Sequence, residues 1–126
     1  MARVNDLAEQ VAAGLRALQD LQQCYDDEMW DISDPAFSKL RHIHIHLSNT
    51  IGKLARALEP LDHQHHRSEG VDIQALNEAL APVAADLLIH AAQIISALDQ
   101  DLSATLMDRY RGNAQRFAPG SEFAKL

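Results

Sequence analysis

Apolar residues recur at three- and four-residue steps in four segments of the chain, which predicts four amphipathic helices. The first segment runs from about Arg3 to Cys24, and the second from a start signal at Ser33-Asp34-Pro35 to Glu59-Pro60. The third runs from about Asp72 to Leu98, with Pro82 as a site for a bend, and the fourth from about Asp101 to Phe117. Four helices joined by short links predict an all-α, four-helix bundle.

The segment from Arg41 to Leu47 carries a conflicting pattern, because polar and apolar residues alternate there with the period of a β-strand. In a strand, His42, His44 and His46 would share one face and could bind a metal ion. In a helix, His42 and His46 share a face and His44 points elsewhere. The apolar stripe of the second segment extends beyond both ends of this patch, so we predict a helix.

The third segment is apolar nearly all round in its second half, which predicts a helix surrounded by other elements rather than a membrane span. Three polar residues interrupt it at steps of four and three, and they share one face: Asp86, His90 and Gln93. Buried polar groups need partners, so this stripe predicts a cavity or a polar interface.

The composition narrows the function classes. The chain has 126 residues and a formal net charge of -7, and it shows no basic stripe that would attract a nucleic-acid backbone. We find no signal peptide. The lone Cys24, predicted to be a half-buried thiol, excludes an internal disulfide framework and fits a reducing cytosol. These features predict a cytoplasmic protein with neither nucleic-acid nor membrane partners.

The length predicts one domain, residues 1–119. Residues 120–126, Gly-Ser-Glu-Phe-Ala-Lys-Leu, are typical of translated cloning sites, and we set them apart as a cloning-derived tail. The face of so small a bundle often needs a second copy to cover it, so we expect a homodimer.

Two blocks of the sequence resemble a known family. His46 to Leu58 (HLSNTIGKLARAL) and Asp86 to Phe117 (DLLIHAAQIISALDQDLSATLMDRYRGNAQRF) are similar to the two halves of the MazG-like all-α nucleotide pyrophosphohydrolases. The glycine of the first block, the asparagine of the second and its closing Arg-Phe carry the likeness. The resemblance implies a MazG-like bundle. It also implies an enzyme that cleaves nucleoside triphosphates between the α and β phosphates, with magnesium held by a Glu-x-x-Glu pair on one helix and a Glu-x-x-Asp pair on the next.

This chain departs from the family at the metal ligands. The first pair aligns with Thr50 and Lys53, and the second with Val83 and Asp86, so only Asp86 keeps a carboxylate. An ammonium group at Lys53 would repel a bound cation. We therefore expect no magnesium cofactor of the family type.

The preferred function at this point is a degenerate pyrophosphohydrolase homologue that binds a nucleotide or another phosphate-bearing ligand without hydrolysing it. Lys53, Arg109 and Asn113 would contact the phosphate. Alternatively, Lys53 pairs with Asp86 and fills the old metal site with a salt bridge.

Two further readings stay open. One is an active hydrolase with a rebuilt site, in which His46, Asp86 and His90 hold magnesium or a transition metal. The other is a structural or protein-interaction dimer with no small-molecule ligand. Side chains outside these sets are expected to be solvated or to pack in the core. The solvated set is His63, His65 and His66 of the second link, and the core set is Trp30 and Phe37.

Overall fold

The computed structural model describes residues 2–29, 38–63 and 70–126, and these residues are almost wholly helical. Helices account for 87% of the structure and no strand occurs in the described ranges, so the all-α prediction is confirmed. The four long helices and a final 3₁₀ turn are α1 (Ala2–Met29), α2 (Lys39–Asp62), α3 (Ile73–Ala97), α4 (Leu102–Phe117) and Glu122–Lys125. The alternating histidine patch lies inside α2, so the helical prediction for it is confirmed as well.

The helix boundaries differ from the predicted ones in α1 and α2. Helix α1 continues past Cys24 to Met29, and the Cys24 thiol is exposed rather than half-buried. Helix α2 begins at Lys39, because the Ser38 hydroxyl accepts a hydrogen bond from the Arg41 main-chain nitrogen and acts as the N-cap. The start signal predicted at residues 33–35 lies outside the described residues, as do Trp30, Phe37, His65 and His66.

The connection between α3 and α4 is a tight corner. Asp99 takes a left-handed conformation with φ of 53° just after α3, and the Gln100 main-chain nitrogen donates to the Ile95 carbonyl oxygen at 3.1 Å. Asp101 then caps α4, because its carboxylate accepts from the main-chain nitrogens of Ser103 at 2.8 Å and Ala104 at 3.1 Å. Hydrogen bonds from Ser103 and Ala104 hold the pKa of Asp101 below its usual value.

The chain divides into two compact units that α3 links. Unit 1 comprises Met1–Asp31 and Ala92–Leu126, and unit 2 comprises Ile32–Ala91. Each unit has a small core in the described residues, with Ala92 and Ile95 buried in unit 1 and Ile43 and Val83 buried in unit 2.

Helix α3 is less enclosed than its composition predicts. Its most apolar stretch has a mean hydropathy of 1.5 but is only 22% buried, and Leu88 and Leu98 are each 48% exposed. Among the described residues, α3 alone is long and apolar enough to cross a membrane, and one such helix is weak evidence for a membrane span. A single copy of the chain therefore leaves apolar surface on this helix uncovered.

Candidate functional site

The polar stripe of α3, formed by Asp86, His90 and Gln93, contacts α2 through the buried side chain of His90. In unit 2, the Thr50 hydroxyl of α2 and the His90 Nε2 atom of α3 form a hydrogen bond of 3.0 Å. Thr50 is 3% exposed and His90 is 8% exposed, so neither side chain is open to a dissolved substrate. The contact satisfies two buried polar groups and fixes the pairing of α2 with α3 in unit 2.

The other end of the stripe meets α1. In unit 1, the Gln93 side-chain amide donates to the Asp26 carboxylate at 3.0 Å, and the Gln22 amide donates to the same oxygen at 2.9 Å. Gln22 is 6% exposed, which makes it one of the few buried polar side chains of the described residues. The predicted polar interface is therefore present at Gln93 as well as at His90, and Asp86 of the same stripe is half-buried.

The proposed histidine and aspartate metal set does not come together. The described residues contain no group of three or more His, Cys, Asp or Glu side chains close enough to hold a metal ion. His46 is exposed and its ring lies 4.4 Å from that of His42, whereas His90 is buried against Thr50. His63 lies within 3.8 Å of Glu59, which is an ion pair only when the imidazole is protonated.

The three predicted phosphate contacts are all exposed side chains. Lys53 lies on α2 in unit 2, and Arg109 and Asn113 lie one turn apart on α4 in unit 1. Among the described residues, neither Lys53 nor Arg109 is in an ion pair, so the salt bridge between Lys53 and Asp86 does not form. Each cation is open to a ligand from solution.

A glutamine that the sequence analysis did not single out organises the corner between α3 and α4. The Gln19 amide of α1 donates to the Ser96 hydroxyl at 3.2 Å and to the Gln100 carbonyl oxygen at 2.7 Å. The Gln19 side-chain oxygen Oε1 accepts a hydrogen bond from the Leu102 main-chain nitrogen at 2.9 Å. The Gln19 side chain thus satisfies one main-chain group in the connection between α3 and α4 and another at the start of α4.

An exposed apolar stripe runs along the outer side of α2. Leu40, Ile51 and Leu58 are 45%, 48% and 37% exposed, and they are separated by eleven and seven residues, close to three and two full turns. Leu47 lies between them on the same side and is half-buried. We call these four residues the outer α2 stripe. The periodicity of α2 therefore serves two surfaces, a buried one that includes Ile43 and Thr50 and an exposed one formed by the outer α2 stripe.

Comparisons with known proteins add no constraint: no family model, no curated protein and no solved structure matches this chain.

The residues missed by sequence reasoning are polar residues on α1 that look solvated in isolation. Gln19, Gln22 and Asp26 follow one another at steps of three and four, so they share a face of α1. That spacing is visible in the sequence, but the apolar stripe of α1 predicts a helix that packs through its leucines and leaves its polar residues in solvent. Only the partners on α3 reveal that this polar face is packed.

Proposed function

We propose that this chain is a helical protein-interaction module that works as a homodimer, with the outer α2 stripe as the contact between two copies. The observation that carries the proposal is the symmetry of the stripe. Leu40 and Leu58 each lie nine residues from Asn49, and Leu47 and Ile51 each lie two residues from it. When two copies of α2 pack antiparallel about that midpoint, each apolar residue of the stripe meets an apolar residue of the partner.

The charges beside the stripe support the same antiparallel arrangement. Arg41 near the start of α2 and Glu59 near its end are eighteen residues apart, which is five full turns, so they flank the stripe on the same side. In an antiparallel pair, Arg41 lies near the partner's Glu59 at both ends of the contact. A parallel pair would instead place each of these charges beside its own copy, with like charges facing each other.

The test is the molar mass in solution, measured by size exclusion with light scattering. We expect a dimer for the wild type and a monomer for Ile51→Glu, because that change places a carboxylate inside the apolar contact. The matched control is Ile45→Glu on the same helix, since Ile45 is 55% exposed and lies off the stripe; it should remain dimeric. Equal behaviour of the two variants would contradict the assigned surface.

A charge exchange separates antiparallel from parallel packing. Arg41→Glu alone and Glu59→Arg alone should each weaken the dimer, and the double variant should restore it, because opposite charges face each other again. A double variant weaker than either single variant would contradict the antiparallel arrangement while leaving dimerisation itself in place.

A second candidate function is the binding of a phosphate-bearing ligand by a divergent MazG-like homologue that has lost magnesium-dependent hydrolysis. In unit 1, the exposure of Arg109 and Asn113, which lie one turn apart on α4, and the absence of an ion pair at Arg109 in the described residues favour it. The net charge of -7 and the single cysteine fit a cytoplasmic location for either candidate.

Thermal melting with nucleoside triphosphates or pyrophosphate, without added metal, tests this second candidate. We expect a concentration-dependent rise in Tm that Arg109→Gln reduces. Arg116→Gln on the same helix is the control, because Arg116 lies over the Phe117 ring at 4.9 Å. A pyrophosphate-release assay with magnesium and manganese accompanies it; turnover abolished by Asp86→Ala would contradict a non-hydrolytic function.

A further inference from the structure

One histidine lies along the outer α2 stripe. His44 follows Leu40 by four residues, and it precedes Leu47 by three residues and Ile51 by seven. At the period of an α-helix these steps place all four side chains along one side of α2. The His44 side chain is exposed in a single copy of the chain. The surface that we assign to the homodimer therefore carries a titratable group among its apolar residues.

The antiparallel arrangement gives His44 an apolar counterpart. His44 and Leu54 each lie five residues from Asn49, the midpoint of the outer α2 stripe, so the partner's Leu54 faces His44 in each half of the contact. The stripe residues on either side of Leu54 are Ile51 and Leu58, and both are apolar as well. An imidazole that is surrounded by water in the monomer is thus covered by aliphatic side chains in the dimer.

No carboxylate faces His44 in this arrangement. On its own helix, Arg41 lies three residues before His44, and its positive charge repels a second cation at that place. The partner's Glu59 lies five residues beyond Leu54, on the side of the contact where it pairs with Arg41. A protonated His44 would therefore be a charge taken out of water without a counter-ion.

The neighbouring histidines lie away from this contact. His42 and His46 are each two residues from His44, which is more than half a turn of helix, and their rings lie 4.4 Å from each other. On the buried side of α2, His90 of α3 is hydrogen-bonded to Thr50. Among the three histidines of α2, His44 is therefore the one that dimerisation covers.

We propose that the homodimer is pH-dependent and that His44 makes it so, because two copies associate with His44 neutral and separate when it is protonated. This inference rests on the antiparallel dimer proposed above. Histidine is the side chain that changes charge between about pH 5 and pH 8. Since the dimer binds fewer protons than two separate chains, a fall in pH favours the separate chains.

The number of histidines sets the size of the effect. An imidazole that must release its proton on association weakens the dimer by at most about tenfold per pH unit, and the dimer contains two of them. An imidazole also changes charge gradually around the middle of this range. We therefore expect the Kd of the dimer to rise by a factor between about ten and a hundred from about pH 7.5 to about pH 5.5.

Sedimentation equilibrium at constant ionic strength measures this Kd. The matched variants are His44→Gln, which removes the titratable group from the stripe, and His46→Gln, which removes one from another side of the same helix. We expect a Kd that no longer changes with pH for His44→Gln, and the wild-type dependence for His46→Gln. Circular dichroism at each pH restricts the comparison to the range in which the helices are intact, and carboxylates remain ionised above about pH 5.5.

A second substitution at the same position separates a covered histidine from a damaged fold. His44→Leu places leucine against the partner's Leu54, so it should tighten the dimer about tenfold at neutral pH and abolish the pH dependence. A variant that had only damaged the helix would weaken the dimer instead.

The outcomes distinguish this inference from the proposed function. A wild-type dimer whose Kd does not change with pH would overturn the role of His44 and leave the dimer in place, and so would a pH dependence that persists in His44→Gln. A wild type that is monomeric at neutral pH would overturn the dimer and this inference together.

Discussion

Replacing Thr50 with valine removes the hydroxyl that meets His90 while keeping the shape of the side chain. The two atoms lie 3.0 Å apart, and both side chains are buried, at 3% and 8% exposure. Removing one partner of a buried hydrogen bond costs about 1–3 kcal/mol, and the added methyl group recovers roughly 0.8 kcal/mol. We therefore expect Thr50→Val to lower the free energy of unfolding by about 1–2 kcal/mol.

Urea denaturation followed by far-UV circular dichroism, at one fixed protein concentration, measures this loss. The matching fall in Tm is about 4–8 °C for a chain of this length. Thr105→Val is the control, because the Thr105 hydroxyl donates to the Asp101 carbonyl oxygen in an exposed position and its loss should cost much less. Adding His90→Leu to Thr50→Val should recover at least half of the lost free energy of unfolding, because an apolar valine then faces an apolar leucine. A neutral Thr50→Val, or a double variant whose loss is the sum of the single losses, would refute the reasoning.

Three further predictions concern unit 1. Asp101→Ala should destabilise α4 at neutral pH. Because the folded pKa of Asp101 is lowered from 3.8, the stability that this cap contributes is present above that pH and is lost as the pH falls through and below it. Thermal melts of the wild type and the variant should therefore converge in acid. Asp99→Gly should raise the free energy of unfolding by roughly 0.5 kcal/mol, since glycine adopts a φ of 53° without steric cost, and an unchanged or lower urea midpoint would contradict this. Gln19→Leu should lower it by about 1 kcal/mol and speed amide hydrogen exchange at Leu102, whose main-chain nitrogen loses its acceptor; unaltered exchange there would count against the bridge.

The helices were predictable from the sequence because their signals are local. Apolar spacing located all four, and the Asp101 cap follows from a residue type that favours that position. The split of the α2 stripe into an inner and an outer surface was not predictable in the same way. Ile43 and Ile51 have the same chemistry, yet one is 7% exposed and the other 48% exposed, because burial depends on which side of α2 the rest of the chain covers.

The candidate site was less predictable than the fold. The face of α3 bearing His90 and Gln93 was identified from spacing alone, and its role as a polar interface is confirmed by the partners Thr50 and Asp26. The identity of those partners could not be read from the sequence, because the two contacts join residues 40 and 67 positions apart. A metal cluster built from His46, Asp86 and His90 required three side chains to converge, and one-dimensional spacing fixes only pairs on a single helix.

The discontinuity of unit 1 sets an order on folding during protein synthesis. Unit 2 is one continuous stretch, Ile32–Ala91, whereas unit 1 combines the first helix with the last. The acceptor of the Gln19 amide, the Gln100 carbonyl oxygen, lies 81 residues further along the chain. On the ribosome, α1 must therefore remain without its partners until the end of α3 and the start of α4 have emerged, while α2 and most of α3 can already pair. The nascent chain should pass through a state in which unit 2 is folded and the apolar face of α1 is still accessible to chaperones.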